Sequence, residues 1–367
     1  MIELVPRQNI SKLLTFATPI IALIFSIIIG LLIFSSLGYD PFQSLYYFFI
    51  APISRPDQVA ALAVKACPLI IIATGLVFCY RANIWNIGAE GQLVFGAIFS
   101  GWVALSFLDS NSILLLPAMM IFAITGGILW GLIPAILKVR FNTNEILTSL
   151  MLTYVASLFI DWLVRGPWRD PMSFGFPLTA TYSDAALIER IYIPFYGYIG
   201  QLHYGVIIAI FTSLILWFVL MRMMPGFKIR VTGSSPQAAI FAGFKPNVTT
   251  LLVMAISGGA AGLAGMIEVS ANMGQLQPNI SFGYGFTAII VAFLARLNPI
   301  AVIPAGLIVA LAELGGDSAQ MSLGMPKVVT GVFKGLLLLS LLAGETINRY
   351  EIKFNIRSLS PFKGKRK

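Results

Sequence analysis

Charged residues are scarce in this sequence of 367 residues. Asp, Glu, Lys and Arg make up 11% of it, whereas a typical soluble domain contains about 25%. Hydrophobic residues reach 58%, and the mean hydropathy is +0.88. One soluble core cannot bury so large an apolar fraction, so a soluble domain is excluded. The composition predicts a multi-pass membrane protein whose solvent is the lipid bilayer.

Cysteine and histidine are also rare, which limits the chemistry available to the chain. Cys67 and Cys79 lie in one apolar run, and twelve residues of helix would separate them by about 18 Å, too far for a disulfide. The single His203 offers no zinc-type cluster. The sequence contains no phosphate-binding G-x-x-x-x-G-K-S/T motif and no convincing nucleophile–base set. We therefore predict no catalytic residue, no metal site and no ATP site in this chain.

Long apolar runs recur at the length that crosses a bilayer, which is about 20 residues. We predict ten spans, near residues 13–37, 60–80, 91–107, 113–137, 146–164, 203–222, 248–268, 286–295, 299–314 and 326–343. The eighth is too short to cross alone, and the ninth is marginal. No small-residue cleavage site follows the first run, so we interpret it as a retained span and not as a signal peptide.

The basic residues predict the orientation of these spans. If the N-terminus (residues 1–12) is cytoplasmic, most Lys and Arg residues fall on the cytoplasmic side, as the positive-inside rule requires. These are Arg7, Lys12, Arg81, Lys138, Arg140, Arg222, Lys228, Arg230, Lys245, Arg296 and the basic C-terminal segment 344–367. The formal charge of +9 is then a topology signal, and no nucleic-acid partner is needed to explain it. The terminal KGKRK favours contact with the membrane surface.

Two segments between spans carry recognisable local signals. Residues 165–202 form a predicted external loop, and residues 223–247 a predicted cytoplasmic segment that contains SSPQAAIFAG. There, Ser235 is a suitable N-cap, Pro236 a suitable first helical residue and Gly243 a left-handed stop. So short a helix needs support from another surface. From the residues alone, a docking element and a connector lying on the membrane are equally open.

Six stretches together resemble the permease subunits of bacterial nucleoside ABC importers. They are NIWNIGAEGQLVFGA, NTNEILTSLMLTYVA, GPWRDP, ISGGAAGLAGMIEV, FTAIIVAFLARLNPIAVIPAGL and GVFKGLLLLSLLAGE. The resemblance runs from about Ala60 to Arg349, and the broader group also includes simple-sugar and branched-chain amino-acid permeases. It implies an all-α, type II importer-like fold, with one permease domain over residues 1–367 in the bacterial inner membrane.

The resemblance also implies partners. They are a second homologous permease chain, a cytoplasmic ATPase that carries ATP and Mg, and an external substrate-binding protein. The short cytoplasmic helix would be the coupling helix that docks on the ATPase, through Ser235, Pro236, Gln237, Ala238, Ala239 and Phe241. In the external loop, the stiff and charged GPWRDP predicts a docking surface for the binding protein at Trp168, Arg169 and Asp170.

Polar residues at membrane depth are tolerated where protein or a water-filled cavity receives them. NIGAEGQ precedes the short span 91–107, and NISFGYG (Asn279–Gly285) precedes the short span 286–295. Such interrupted helices line the pathway of many transporters, so we predict a substrate pathway at Asn83, Trp85, Asn86, Glu90, Gln92, Tyr284 and Phe286. Alternatively, Glu90 merely complements the positive end of the helix that follows it.

Charges within the spans need partners or water. Lys65 is shallow enough for its side chain to reach the outer interface, whereas Lys334 is deeper, with Glu268 and Glu313 as candidate partners. The acidic residues lie near span ends, which argues against an ion-coupled secondary transporter. The basic cytoplasmic loops argue against a membrane enzyme acting on lipid-linked substrates. A permease for simple sugars remains the alternative within the same importer class.

Overall fold

The computed structural model describes residues 2–6, 12–195, 197–326, 328–329, 331–332, 335–336, 339–340, 343–344 and 350–354. The chain divides into two compact units. One unit is Phe49–Gly315, and the other combines Met1–Phe48 with Gly316–Lys367.

Twelve helices occur in the described residues, and they account for most of them. The helices are α1 (Lys12–Ser36), α2 (Pro41–Leu45), α3 (Pro56–Arg81), α4 (Ala89–Ser106), α5 (Leu115–Phe141), α6 (Glu145–Arg165), α7 (Gly205–Arg222), α8 (Met224–Ser234), α9 (Pro236–Phe241), α10 (Pro246–Ile267), α11 (Tyr284–Leu294) and α12 (Val302–Leu323). The strands are β1 (Ile2–Pro6), β2 (Arg190–Ile193), β3 (Gly197–His203) and β4 (Tyr350–Phe354). The prediction of an all-α membrane protein is confirmed, with two short two-stranded sheets added to it.

Nine of the ten predicted spans coincide with helices. Six helices in the described residues are long and apolar enough to cross a bilayer: α3, α5, α6, α7, α12 and α10 with its π-helical extension to Met273. With only 11 residues, α11 is too short to cross alone, as predicted. Ten of the 18 residues in the tenth predicted span, 326–343, are described, and nine of those ten are helical. Lys334 lies outside the described residues.

The predicted end of the ninth span was wrong. The helix α12 continues to Leu323, whereas the sequence suggested an end at residue 314, before Gly315, Gly316 and Asp317. Glycine weakens an isolated helix by about 1 kcal/mol, but both glycines are buried here. Packing therefore overrides the local propensity.

The core of the Phe49–Gly315 unit consists of α3, α4, α5 and α10. Buried residues predominate along α3 and α10, whereas α6 and α7 remain largely exposed along their apolar lengths. The glycines of α10 permit close packing, because a Cβ atom on Gly258 would overlap the backbone of Gly127 in α5. One turn further on, Gly262 touches the backbone of Gly96 in α4. Small residues four apart are typical of helices that pack tightly in membranes.

The second unit contains α1, α2 and the pair formed by β1 and β4. These strands are antiparallel, with Ile2 opposite Phe354 and Pro6 opposite Tyr350. The carboxylate of Asp40 caps α2 by accepting the N–H groups of Phe42 and Gln43 at 2.8 and 2.9 Å. The sequence did not predict the strand pairing, because the two partners lie near opposite ends of the chain.

Candidate functional site

Two interrupted helices, α4 and α11, begin at the same place in the Phe49–Gly315 unit. The chain leaves the helix after Arg81, turns at Asn83 with a positive φ of 57°, and starts α4 at Ala89. The other interruption ends at Gly283, whose φ of 86° places it in the left-handed region that favours glycine. A Cβ atom on Gly285 would overlap the backbone of Glu90. Its absence allows the two helix starts to touch.

One carboxylate joins the two starts. The Oε1 atom of Glu90 accepts the N–H of Gly283 at 2.9 Å, and its Oε2 atom accepts the N–H of Gly285 at 2.6 Å. The first N–H groups of a helix have no partner within that helix, and a negative charge there is favourable. Because Glu90 is itself in the first turn of α4, its charge lies at the positive ends of both helices. The sequence suggested that it complements its own helix, and the structure adds α11 as its hydrogen-bonded partner.

Asn86 and Gln92 hold the segment before α4 in place. The Nδ2 atom of Asn86 donates to Oε1 of Gln92 and to Oγ of Ser257 in α10, both at 2.9 Å. Its Oδ1 atom accepts the N–H of Gly88 at 3.0 Å. The side chains of Asn86 and Gln92 are both buried, so in this subunit they form an internal network that fixes the non-helical backbone.

The exposed residues near this network are mainly aromatic. Trp85 is 42% exposed, Phe286 39% and Phe282 56%, while the predicted pathway residue Asn83 is also exposed. Phe293 stacks on Trp85, with ring centroids 5.9 Å apart. Phe286 and Phe293 are seven residues apart and so share one side of α11, while Phe282 lies just before the helix starts. We call this set, Trp85, Phe282, Phe286 and Phe293, the aromatic face. Of the other predicted pathway residues, Glu90 and Tyr284 are buried behind it.

A partly buried ion pair lies beside the aromatic face. The Nζ atom of Lys65 in α3 is 3.7 Å from Oε2 of Glu313 in α12. The same ammonium group lies 5.2 Å from the ring centroid of Tyr284 and 5.6 Å from that of Phe282, which are cation–π distances. That Lys65 reaches the outer interface stays a prediction; the structure shows a carboxylate and two rings around its ammonium group. Sequence reasoning missed the pair, since its partners are far apart in the chain.

The predicted coupling segment has the predicted caps. The Oγ atom of Ser235 accepts the N–H of Ala238 at 3.3 Å, Pro236 is the first residue of α9, and Gly243 has a φ of 76°. Phe241 is 93% exposed, and Gln237 and Ala238 are exposed as well. Ala239 instead is buried within the chain, so it supports α9 from behind.

The segment that leads into α9 packs against the end of α3. A Cβ atom on Gly233 in α8 would overlap the carbonyl group of Arg81, so the two backbones are in contact. In turn, the Nε atom of Arg81 donates to the carbonyl oxygen of Leu297 at 2.9 Å, in the turn after α11. A backbone contact and a side-chain hydrogen bond therefore connect the coupling segment to the turn after the helix that carries the aromatic face.

The predicted external loop contains GPWRDP and a β-hairpin. Arg169 is exposed, and Trp168 and Asp170 are partly exposed. The N–H of Trp168 donates to the carbonyl oxygen of Leu163 at 2.9 Å, which ties the motif to the end of α6. The pairing of β2 with β3 was not predicted. Burial lowers the pKa of His203, at the end of the hairpin, to about 4, so its imidazole is neutral at pH 7 and accepts the N–H of Gly205.

The Glu90 contact can be tested by removing its acceptors. Replacing Glu90 with Ala leaves the buried N–H of Gly285 and the partly buried N–H of Gly283 without a partner, and an unpaired buried group costs about 1–3 kcal/mol. We expect thermal unfolding of the purified subunit at a clearly lower temperature, with faster amide exchange at Gly283 and Gly285. Glu90→Gln keeps one acceptor and should have a smaller effect. Asp57→Asn, in the exposed pair with Arg55, is the control and should change little. Unchanged unfolding and exchange in Glu90→Ala would contradict the assignment.

The Lys65–Glu313 pair predicts a non-additive pattern of stability. Lys65→Met leaves a buried carboxylate unpaired and should cost about 3 kcal/mol, whereas Lys65→Met combined with Glu313→Leu should recover most of the loss. Thermal unfolding of the single and double variants measures this coupling. Arg165→Met, in the exposed pair with Asp161, is the control. If Lys65→Met is no less stable than the control, Lys65 does not stabilise the carboxylate of Glu313.

Comparisons with known proteins agree with this architecture. Residues 58–342 match the family model described as the permease component of the branched-chain amino acid transport system. A glucose ABC transporter permease protein of Haloferax volcanii is 31% identical, over 96% of this chain and 93% of its own length. A guanosine ABC transporter permease protein of Bacillus subtilis is 27% identical, over 90% and 94% respectively.

A further relative and one solved structure complete the comparison. A nucleoside ABC transporter permease protein of Lactococcus lactis is 28% identical, over 85% of this chain and 87% of its own. An inward-facing ABC transporter of the metal-chelate type aligns with 92% of this chain and 98% of its own, at a TM-score of 0.45 and 16% identity. Since the family model matches most of the sequence, this chain belongs to the branched-chain amino acid transport system permease family and is a membrane-spanning permease subunit of an ABC transporter, not an enzyme.

Proposed function

We propose that this chain forms part of the translocation pathway for nucleosides in a binding-protein-dependent importer. The observation that carries the proposal is the aromatic face next to the joined starts of α4 and α11. Flat rings such as Trp85 and Phe286 can stack on a nucleobase, and base–aromatic stacking contributes about 1–3 kcal/mol. Two of the relatives described above are named as guanosine and nucleoside permeases, which supports this substrate class.

The ammonium group of Lys65 lies beside the aromatic face and supports the proposal that this face lines the pathway. The side chain of Lys65 is 22% exposed, and an ammonium group facing lipid tails at this depth is costly. A surface that meets water or a partner subunit avoids this cost. We therefore infer that Trp85, Phe286 and Asn83 face the pathway, and that Asn86, Glu90, Gln92 and Tyr284 support them from behind.

A pathway for simple sugars is the second candidate. The relative from Haloferax volcanii is named as a glucose permease, and sugars also stack their apolar faces on aromatic rings. Both substrate classes carry vicinal hydroxyl groups. The difference between them is the nucleobase, which gives the rings of the aromatic face a larger flat partner.

Family membership implies an ATPase and an external binding protein as partners. We propose that a second homologous permease completes the pathway, and that ATP and Mg bind only to the ATPase. We propose further that the permease lies in the bacterial inner membrane with both termini in the cytoplasm. The antiparallel pairing of β1 with β4 supports placing both termini on one side of the membrane, and the basic residues favour the cytoplasmic side.

We assign ATPase docking to α9 and binding-protein docking to GPWRDP. The exposure of Gln237, Ala238 and Phe241 on a helix with fixed caps supports the first assignment, since a preformed element loses little entropy when it binds. The second rests on the exposure of Arg169 and on the backbone anchor at Trp168. On the proposed topology the two surfaces lie on opposite sides of the membrane.

The docking of α9 predicts a specific uncoupled phenotype. Ala238→Arg would bury an unpaired charge in the interface, at a cost of several kcal/mol, and Gly243→Val would disfavour the left-handed stop. We expect both variants to insert normally but to lose co-purification with the ATPase and ATP-driven uptake. Asn111→Arg, on an exposed loop at the opposite end of the spans, is the control. Normal uptake by Ala238→Arg would show that α9 only rests on the membrane.

Substrate class can be measured with the assembled importer in proteoliposomes. We expect radiolabelled guanosine or uridine to enter in the presence of ATP, without an ion gradient, and excess glucose not to compete. Phe286→Ala and Trp85→Ala should each lower nucleoside uptake about tenfold, because each removes a stacking surface. Glucose uptake without nucleoside uptake would establish the sugar alternative. Uptake driven by an ion gradient without ATP would refute the ATP-driven reading.

A further inference from the structure

A cavity of about 360 Å³ opens between α8 and the start of α10. It is separate from the aromatic face and from the exposed side of α9. Its walls include Lys228, Phe244, Lys245, Val248, Thr249 and Leu252. Both lysines are exposed, and they belong to two different elements, since Lys228 is in α8 and Lys245 is the N-cap of α10.

The electrostatics of the cavity favour an anion. The sequence contains no Asp or Glu between residues 190 and 267, and within the described residues neither Lys228 nor Lys245 has a carboxylate within ion-pair distance. The ammonium group of Lys228 lies 5.6 Å from the ring centroid of Phe244, which directs it toward the cavity wall. The positive end of α10, which has no side-chain cap at Lys245, adds to the same potential.

The apolar part of the cavity points along α10. Val248 is 57% exposed, and Leu252, one turn further into the helix, is 39% exposed. At the start of α8, Met224 and Phe227 are 60% and 45% exposed. The lysines thus stand at the end of the transmembrane helix, and exposed apolar side chains follow toward its middle. A phospholipid has the same order of charge and hydrocarbon.

We propose that this cavity binds an anionic phospholipid, with its phosphate between Lys228 and Lys245 and an acyl chain along Val248 and Leu252. Basic cavities between membrane helices are suited to such headgroups, and each lysine near an anionic lipid contributes about 1 kcal/mol. The exposed apolar side chains favour a lipid over a free phosphate ion or an acidic protein segment. Because Gly243 lies two residues after the end of α9 and also lines the cavity, the lipid would brace the base of α9 against α10.

The test compares lipid binding by the full-length permease in nanodiscs and by native mass spectrometry. The wild type should retain phosphatidylglycerol in preference to phosphatidylcholine. Lys228→Gln with Lys245→Gln should reduce this preference about thirtyfold, from two contributions of about 1 kcal/mol. Val248→Trp, which keeps both charges but fills the cavity, should also displace the lipid. Arg140→Gln, an exposed residue at the end of α5, is the matched control and should bind as the wild type does.

Several outcomes would overturn the proposal. An equal loss in Arg140→Gln, or normal binding in Val248→Trp, would mean that diffuse surface charge attracts the lipid. Competition by inorganic phosphate alone would identify a phosphate site. If the lysine variants keep their lipid but lose the ATPase, the cavity is part of the ATPase interface. Thermal unfolding of each variant confirms that it is folded, so that loss of binding can be assigned to the cavity.

Discussion

The contact of Glu90 with the start of α11 is the interaction on which the rest of the membrane core depends. Two helices that begin inside the protein core leave N–H groups without partners in their own helices, and these groups need acceptors from elsewhere in the protein. A single carboxylate meets this need at Gly283 and Gly285, and its charge is favourable at both helix ends. Neither interruption could be maintained in its present place without the other.

Close packing of small residues makes this contact possible. Gly285 allows α11 to reach the backbone of Glu90, Gly258 and Gly262 allow α10 to approach α5, and Gly96 allows α4 to approach α10. Asn86 then reaches Ser257 of α10, which fixes the loop that leads to Glu90. Because these glycines carry no side chain, the helices approach closely enough for the Glu90 carboxylate to lie at the start of α11. The larger rings remain on the outside, where they form the aromatic face.

Features that depend on residues close together in the sequence were predicted correctly. Features that depend on contacts between distant parts of the chain were missed. Caps at Ser235 and Gly243 follow local rules, as does the insufficient length of α11, and all three were predicted correctly. The Lys65–Glu313 pair, the N–H partners of Glu90 and the hairpin of β2 with β3 depend on which helices and strands become neighbours. Apolar periodicity carries no information on that choice, because in a membrane core nearly every side of a helix is apolar. The extension of α12 past Gly315 was missed for the same reason, since its packing outweighs its propensity.

The proposed coupling between α9 and the pathway requires a rigid connection, and a backbone contact together with one side-chain hydrogen bond of the Phe49–Gly315 unit provides it. Gly233 at the end of α8 lies directly against Arg81, and Arg81 donates to the carbonyl oxygen of Leu297. The turn there has two consecutive residues with positive φ, Arg296 and Leu297, a conformation that resists small adjustments. A displacement of α8 would thus be transmitted to the end of α11 and to Phe293, which stacks on Trp85. The joined start of α11 at Glu90 would resist the same displacement. The end of α11 would therefore move with α8, while its start stays fixed at Glu90. A small tilt of α11 between these two points would change the spacing of the rings in the aromatic face.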